Sequence, residues 1–138
     1  QILVMMAAVV LVGCSKDTPE PSQENEKLIE KLGHEVVTST NGEEAIQAWL
    51  TEEPEMIFMD LQMPVMDGME ATKEIRRRMK GKSPYFLSIV ALTADAEAST
   101  RKEALASGLN DVLVKPASID QLEHSIQHWC RLHREALD

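Results

Sequence analysis

Cysteine, aromatic residues and glycine are all scarce in this chain, and the shortages exclude several classes of protein. Its 138 residues include two cysteines and six glycines, and only 4% are aromatic. Cys14 and Cys130 lie far apart, without Cys-x-x-Cys or Cys/His spacing, so a zinc site and a disulfide framework are not indicated and both are predicted to be free thiols. Gly-rich phosphate loops, Gly-x-Ser-x-Gly elbows and His-Glu-x-x-His motifs are missing as well.

Positive charge is also in short supply. The chain has 14 basic and 23 acidic side chains and a net charge of −9. This balance argues against binding of nucleic acid or anionic membranes by the domain as a whole, and favours proteins or cations as partners. The basic cluster at residues 76–82 lacks interleaved aromatic residues, so we interpret it as a solvated helix end. At 43% hydrophobic residues, the composition predicts one folded domain.

No apolar run reaches the roughly 18 to 20 residues that a membrane-spanning helix needs. The longest covers residues 2–12 and ends in Leu-Val-Gly-Cys-Ser, which is similar to the lipobox of a bacterial lipoprotein, with Cys14 as the lipidated residue. No basic segment precedes this run. The alternative is a buried strand of a parallel sheet, which is also a continuous apolar run. We favour the strand and keep envelope anchoring at Cys14 as the alternative.

From residue 24 onwards, helical and strand periodicities alternate. The pattern predicts right-handed βαβ crossovers and an α/β parallel sheet that is covered on both faces. The predicted elements are helix 24–32, strand 34–38, helix 41–50, strand 55–59, helix 69–79, strand 87–92, helix 97–106, strand 112–114 and helix 119–132.

Three polar residues follow predicted strands at their carboxyl ends. They are Asp60, Thr93 and Lys115. Ligands of open parallel sheets bind at this edge, so the three side chains are predicted to share one site. Each has a structural explanation when taken alone, for example a helix N-cap for Thr93 or a strand exit for Lys115. Their conjunction favours function.

The residues around these positions resemble a known family. Residues 59–72, M-D-L-Q-M-P-V-M-D-G-M-E-A-T, are similar to the phosphorylation segment of response-regulator receiver domains, particularly those of hybrid histidine kinases. I-V-A-L-T-A at residues 89–94 and G-L-N-D-V-L-V-K-P at residues 108–116 follow in the family's order, and L-G-H-E-V-V at residues 32–37 agrees with it. The resemblance covers residues 26–130.

The resemblance implies a doubly wound, five-stranded parallel sheet flanked by five helices, the flavodoxin-like receiver fold. It implies that Asp60 accepts a phosphoryl group in a two-component phosphorelay, while Thr93 and Lys115 contact the phosphate oxygens. It also implies Mg²⁺, held by an acidic residue after the first strand, by Asp60 and by the backbone carbonyl of Gln62. Expected partners are a histidine kinase or a histidine phosphotransfer domain. The resemblance implies a cytoplasmic module that is expected not to be an enzyme apart from slow self-dephosphorylation, and that can be part of a hybrid histidine kinase.

The N-terminus departs from the family, which carries an acidic pair after its first strand. An ungapped count back from residue 33 puts Lys16 and Asp17 at these positions. It makes residues 9–14 the first strand and residues 9–136 the receiver domain, with residues 1–8 as an apolar extension or signal remnant. Asp17 is then the metal-bridging acid, and the cation at Lys16 predicts weakened Mg²⁺ binding.

Two other alignments stay open. In one, residues 1–5 form the first strand, Met6 and Ala7 occupy the acidic positions, and the metal acid is missing. In the other, a lipoprotein leader is joined to a receiver fragment. The rival function is therefore a pseudo-receiver, an interaction module that is never phosphorylated.

Two further positions are considered as candidate sites. Val112 stands where receivers carry an aromatic switch residue. The pair His124 and His128 is interpreted as solvent-facing and not as a metal site.

Overall fold

The computed structural model describes residues 3–7, 21–61, 66–81 and 86–137, which form five strands and five helices in alternation. The alternation predicted from residue 24 onwards is confirmed. In chain order the elements are β1 Leu3–Ala7, α1 Pro21–Lys31, β2 Glu35–Ser39, α2 Gly42–Glu52, β3 Met56–Asp60, α3 Gly68–Arg78, β4 Ser88–Thr93, α4 Ala98–Ala106, β5 Asp111–Val114 and α5 Ile119–Leu137.

All strand pairs are parallel, and the sheet order is β2-β1-β3-β4-β5. The chain reverses its direction of travel across the sheet between β1 and β3. Crevices at the carboxyl ends of the strands beside such a reversal are the usual ligand sites of doubly wound sheets. β3 is buried along its whole length, as expected for a central strand with both faces covered.

Two apolar cores lie on opposite faces of the sheet, and β3 contributes alternate residues to both. Ile57 and Met59 pack in the core beneath α2, α3 and α4, whereas Met56 and Phe58 pack in the core beneath α1 and α5. Because successive side chains of a strand point to opposite faces, the run M-I-F-M can fill both cores at once. This central packing fixes the position of Asp60, the last residue of β3.

The first strand lies earlier in the chain than the favoured alignment predicts. Leu3–Ala7 forms β1, between β2 and β3, whereas residues 9–14, which the favoured alignment makes the first strand, lie outside the described residues. The prediction was wrong because residues 3–7 and residues 9–14 are both apolar enough to form a central strand. The choice between them therefore rested on spacing alone. The sheet therefore begins before residue 9, where the sequence predicts the domain to start.

One cation of the basic cluster also differs from its prediction. Arg77 and Arg78 are exposed and pair with Glu74, as a solvated helix end should. The Arg76 guanidinium is instead part-buried, and burial lowers its pKa to about 10. It donates to the carbonyls of Leu87 and Gly108 at 2.8 and 2.9 Å and to the Asn110 amide oxygen at 2.6 Å. These bonds tie the end of α3 to the starts of β4 and β5.

None of the helices in the described part of the chain has the length and hydropathy to cross a membrane.

Candidate functional site

An ion pair joins the carboxyl ends of two strands. Asp60 ends β3, and Lys115 directly follows β5. The Lys115 Nζ lies 2.5 Å from Asp60 Oδ2, and the two side chains are 19% and 8% exposed. Their near burial strengthens the attraction relative to a surface pair. The sequence predicts that the two residues meet, and the structure brings them together.

Thr93 lies on the strand between them. It is the last residue of β4 and is 2% exposed, and its carbonyl accepts the Lys115 amide at 2.8 Å. Its neighbour Leu92 is the ladder partner of Asp60. Parallel pairing therefore places all three predicted residues at one edge of the sheet, at the ends of three consecutive strands.

The segment after Asp60 returns closely against it. A side chain at Gly68 would collide with the Asp60 carbonyl, so only glycine allows α3 to start at this distance. Asp67, the N-cap of α3, accepts the Glu70 amide at 2.9 Å, which satisfies one of the otherwise unpaired amides of the first turn. The Asp-Gly pair, a turn signal in the sequence, thus sets α3 beside the site.

Sequence reasoning missed Asp95, two residues beyond Thr93. Its amide donates to the Thr93 hydroxyl oxygen at 3.1 Å. Its carboxylate accepts the Glu97 amide at 2.9 Å and the Thr100 hydroxyl at 2.6 Å. The bond from Thr100, followed by that from Glu97, lowers the pKa of Asp95. An aspartate shortly before a helix is a capping signal, but the partnership with Thr93 is visible only in the fold.

Of the predicted Mg²⁺ ligands, Asp60 is the one that the structure describes, and the described residues alone form no complete metal site. They contain no group of three His, Cys, Asp or Glu side chains that could hold a metal, and Asp60 is paired with a cation. β1 ends at Ala7, opposite Met59, and the chain has no acidic residue before Asp17. Mg²⁺ favours octahedral coordination by oxygen, with one or two carboxylates among its ligands. The other predicted metal contacts, Asp17 and Gln62, lie outside the described residues.

Other candidate residues lie away from this edge. His124 and His128 stack on α5 with ring centroids 6.3 Å apart. Val112 is buried in the core beneath α2 to α4. Cys130 is buried too, and burial raises the pKa of its thiol to about 11, so it is protonated and unreactive at neutral pH. Cys14 lies outside the described residues.

Known proteins resemble this chain along most of its length. The family model described as "Response regulator receiver domain" matches residues 14–127. "Sensor protein GacS" from Pseudomonas syringae pv. syringae is 39% identical over 119 residues, which cover 86% of this chain and 13% of that protein. "Osmolarity two-component system protein SSK1" from Saccharomyces cerevisiae is 37% identical over 112 residues, 64% of this chain and 16% of that protein.

Solved structures agree with the sequence relatives. The receiver domain of Saccharomyces cerevisiae Ssk1, solved with the histidine phosphotransfer protein Ypd1, has a TM-score of 0.79 and 30% identity, covering 96% of this chain and 90% of that one. The receiver domain of sensor histidine kinase PA1611 from Pseudomonas aeruginosa, solved with magnesium in its active-site cleft, has a TM-score of 0.78 and 28% identity, covering 94% and 98%. With its sheet order, its strand-end residues and these matches, the chain belongs to the response-regulator receiver domain family.

Proposed function

We propose that this domain is a phosphoacceptor in a two-component phosphorelay and that Asp60 receives the phosphoryl group. The observation that supports this most strongly is the meeting of Asp60, Thr93 and Lys115 at the ends of three consecutive strands. Each supplies one requirement of phosphoryl transfer to a carboxylate, namely a nucleophile, a hydroxyl donor and a positive charge. A structural role alone does not require this combination.

The transfer is a displacement at phosphorus. A carboxylate oxygen of Asp60 attacks the phosphoryl group of a phosphohistidine, the P–N bond breaks, and an acyl phosphate forms while the imidazole takes up a proton. Lys115 moves its contact from the carboxylate to a phosphoryl oxygen, and Thr93 donates its hydroxyl to another. The phosphoryl group brings a charge of roughly −1.5 to −2. Hydrolysis of the acyl phosphate resets the site, so the domain is a phosphoacceptor with slow self-dephosphorylation.

Mg²⁺ binding by this chain is proposed to be weak. The receiver domain of PA1611 was solved with magnesium in its active-site cleft, and bound Mg²⁺ would neutralise negative charge as the phosphoryl group arrives. In this chain the acid nearest to the N-terminus is Asp17, next to Lys16, and the Gln62 carbonyl is the other proposed contact. One carboxylate beside a cation gives a less negative site than an acidic pair does.

The proposed partner is a histidine kinase or a histidine phosphotransfer protein. The Ssk1 receiver domain was solved with the phosphotransfer protein Ypd1, which supports the second choice. The chain spans 13% of the length of its GacS relative, so an origin within a hybrid histidine kinase is also proposed. We propose a cytoplasmic location, and metabolic palmitate labelling that is lost in Cys14→Ser would instead support the lipid-anchored alternative.

Phosphorylation of Asp60 can be tested directly by intact-protein mass spectrometry. The protein is incubated with acetyl phosphate and MgCl₂, and the expected product carries one phosphoryl group that Asp60→Asn abolishes. Asp67→Asn is the matched control, because it makes the same change nearby while asparagine still caps α3. A wild-type protein that forms no adduct with acetyl phosphate or with a phosphorylated phosphotransfer protein, at saturating Mg²⁺, would contradict the proposal.

A pseudo-receiver is the second candidate function, supported by the ion pair itself. Lys115 already neutralises Asp60, and no acidic residue precedes Asp17. In this alternative the domain binds its partner without accepting a phosphoryl group. It predicts equal affinity of a phosphotransfer protein for wild type and Asp60→Asn, together with no adduct in wild type. An adduct that Lys16→Asp restores would locate the defect at the metal site.

A further inference from the structure

Helix α2 begins in a turn that is held by its own side chains. The Asn41 side chain accepts the Glu44 amide at 2.9 Å, and the Glu44 carboxylate accepts the Thr40 amide and hydroxyl at 2.9 and 2.6 Å. Reciprocal bonds of this kind fix the first turn of a helix. The amide of Gly42, the first residue of α2, has no acceptor within the helix. The start of α2 is therefore a fixed point that offers one backbone donor.

The Gly42 amide binds the segment that leads into α3. It donates to the Met66 carbonyl at 3.0 Å, two residues before α3 begins at Gly68. A Cβ on residue 42 would lie 2.5 Å from the Met66 carbonyl oxygen and 2.8 Å from the Met66 Cγ. The φ of Gly42 is not positive, so this position requires the absence of a side chain and not an unusual backbone conformation.

Gly68 packs against Asp60 in a similar way. A Cβ on Gly68 would collide with the Asp60 carbonyl oxygen. The same peptide unit is held from its other side, because the Leu61 amide donates to the Leu92 carbonyl at 3.2 Å. The peptide that follows Asp60 is thus fixed between the start of α3 and the end of β4.

Two close approaches in series therefore connect the start of α2 with Asp60. The first joins Gly42 to Met66, and the second joins Gly68 to Asp60. Helix α2 follows β2, which lies two places from β3 in the sheet, so this connection reaches Asp60 from beyond β1. Catalytic rates are sensitive to such placement, since a displacement of about 1 Å at the reacting group can slow a reaction on the order of 100-fold.

We propose that Gly42 is a positioning residue for phosphoryl transfer to Asp60. The inference rests on the proposed function, because the placement of Asp60 affects a rate only if Asp60 reacts. Alanine at residue 42 moves the Met66 carbonyl outwards and breaks its bond to the residue 42 amide. Gly68 follows, the peptide after Asp60 turns, and the attacking carboxylate oxygen leaves its line with the phosphorus atom. Thr93 and Lys115 keep their places, so binding of the phosphodonor is retained while the transfer step slows.

The kinetics of phosphorylation of the full chain by acetyl phosphate with MgCl₂ test this separation. Gly42→Ala should lower the limiting rate about tenfold and leave the half-saturating concentration of acetyl phosphate unchanged. Gly33→Ala is the matched control, because it strains a φ of +92° with no atom within 4 Å of the new Cβ. It should keep the wild-type rate. Equal slowing in both variants, or the wild-type rate in Gly42→Ala, would overturn the inference.

A second pair of variants loosens the same turn without a steric collision. Asn41→Ala removes the cap of α2 and should slow the transfer about threefold, whereas Asn41→Ser provides another capping oxygen and should restore the wild-type rate. This pair decides the matter even if the collision in Gly42→Ala prevents folding. An Asn41→Ala protein that is phosphorylated as fast as wild type would contradict the assignment.

Hydrogen exchange measures the placement of the Asp60 peptide without any phosphoryl group. The readout is the exchange rate of the Leu61 amide divided by that of the Asn110 amide, which donates to the Ile89 carbonyl at 2.8 Å. Because global unfolding exposes both amides, it cancels from this ratio. Gly42→Ala and Asn41→Ala should raise the ratio about fivefold, and Gly33→Ala should not.

The two measurements distinguish failure of the inference from failure of the proposed function. A wild-type protein that forms no phosphoryl adduct would count against phosphoacceptor function, while the exchange ratio would still decide whether Gly42 holds the Asp60 peptide. An unchanged ratio in both Gly42→Ala and Asn41→Ala would overturn the inference. A raised ratio together with a wild-type rate of phosphorylation would overturn it too, because the contact would then be structural only.

Discussion

The two edges of the sheet each hold a partly buried cation, but the cations have opposite kinds of partner. At the carboxyl edge, the Lys115 ammonium pairs with the Asp60 carboxylate at 2.5 Å. At the amino edge, the Arg76 guanidinium donates to the carbonyls of Leu87 and Gly108 and to the Asn110 amide oxygen. Asn110 in turn accepts the Ile89 amide at 2.8 Å. The first cation faces a charge, whereas the second donates to neutral oxygens, two of the backbone and one of the Asn110 side chain.

Because of this difference, the cation at the carboxyl edge can exchange its partner, whereas the cation at the amino edge cannot do so without losing several hydrogen bonds. A single ammonium on a flexible stem can move from a carboxylate to a phosphoryl oxygen and keep a negative partner throughout. A planar guanidinium with several donors in fixed directions loses several bonds if it moves. The Arg76 edge therefore holds α3, β4 and β5 in place, while the Lys115 edge retains the freedom that the proposed chemistry needs.

The largest expected effect on stability comes from removing Arg76, and removal of the Asp60–Lys115 ion pair is the comparison. Arg76→Met keeps the aliphatic stem but leaves backbone carbonyls without their donor, and we expect it to lower the free energy of unfolding by about 3 kcal/mol. The double variant Asp60→Asn/Lys115→Met removes both partners of the ion pair, so we expect a loss of less than about 1 kcal/mol. Urea unfolding of the variants and wild type measures both values. Equal losses would show that the two edges are not different in kind.

The next largest effect on stability is expected at Gly108, which packs against the Arg76 side chain. Gly108 has a φ of +108°, and a Cβ there would lie 2.8 Å from the Arg76 Cγ. Gly33 has a φ of +92° with nothing within 4 Å of its Cβ position, so it is the matched control for backbone strain. We expect Gly33→Ala to cost about 1 kcal/mol of unfolding free energy and Gly108→Ala about 2 kcal/mol. The excess should vanish in an Arg76→Ala background, and its persistence there would contradict the steric explanation.

The carboxyl edge was predictable from sequence because its residues obey two independent rules. Asp60, Thr93 and Lys115 each follow an apolar strand, and parallel strands bring their carboxyl ends to one edge. The residues around them also carry the family's motifs. Their meeting therefore followed from topology, whereas the roles assigned to them remain a proposal. Asp95 was missed because its partner Thr100 lies one helical turn into α4, and a lone aspartate before a helix has many uses.

The amino edge and the first strand were less predictable. Arg76 has the same chemistry as its exposed neighbours Arg77 and Arg78, so only the position of β4 and β5 shows that it faces inward. The first strand was placed too late because residues 2–12 form one apolar run without a turn signal inside it. Hydrophobicity identifies such a strand but not its register along the chain.

The smallest expected effect concerns acid, which should protonate Asp95 at the carboxyl edge but leave the oxygens that bind Arg76 at the amino edge unchanged. Hydrogen bonds from Thr100 and Glu97 lower the pKa of Asp95. Because the folded pKa lies below the unfolded value, these bonds stabilise the fold above the unfolded pKa, and their contribution is lost as the pH falls through the folded pKa. The carbonyl acceptors of Arg76 do not titrate in this range. Carboxyl NMR titration should show that Thr100→Val raises the Asp95 pKa towards its usual value, whereas Ser99→Ala does not. An Asp95 pKa unchanged by Thr100→Val would mean that the start of α4 is not held by this carboxylate, and the contrast between the two edges would then rest on Lys115 alone.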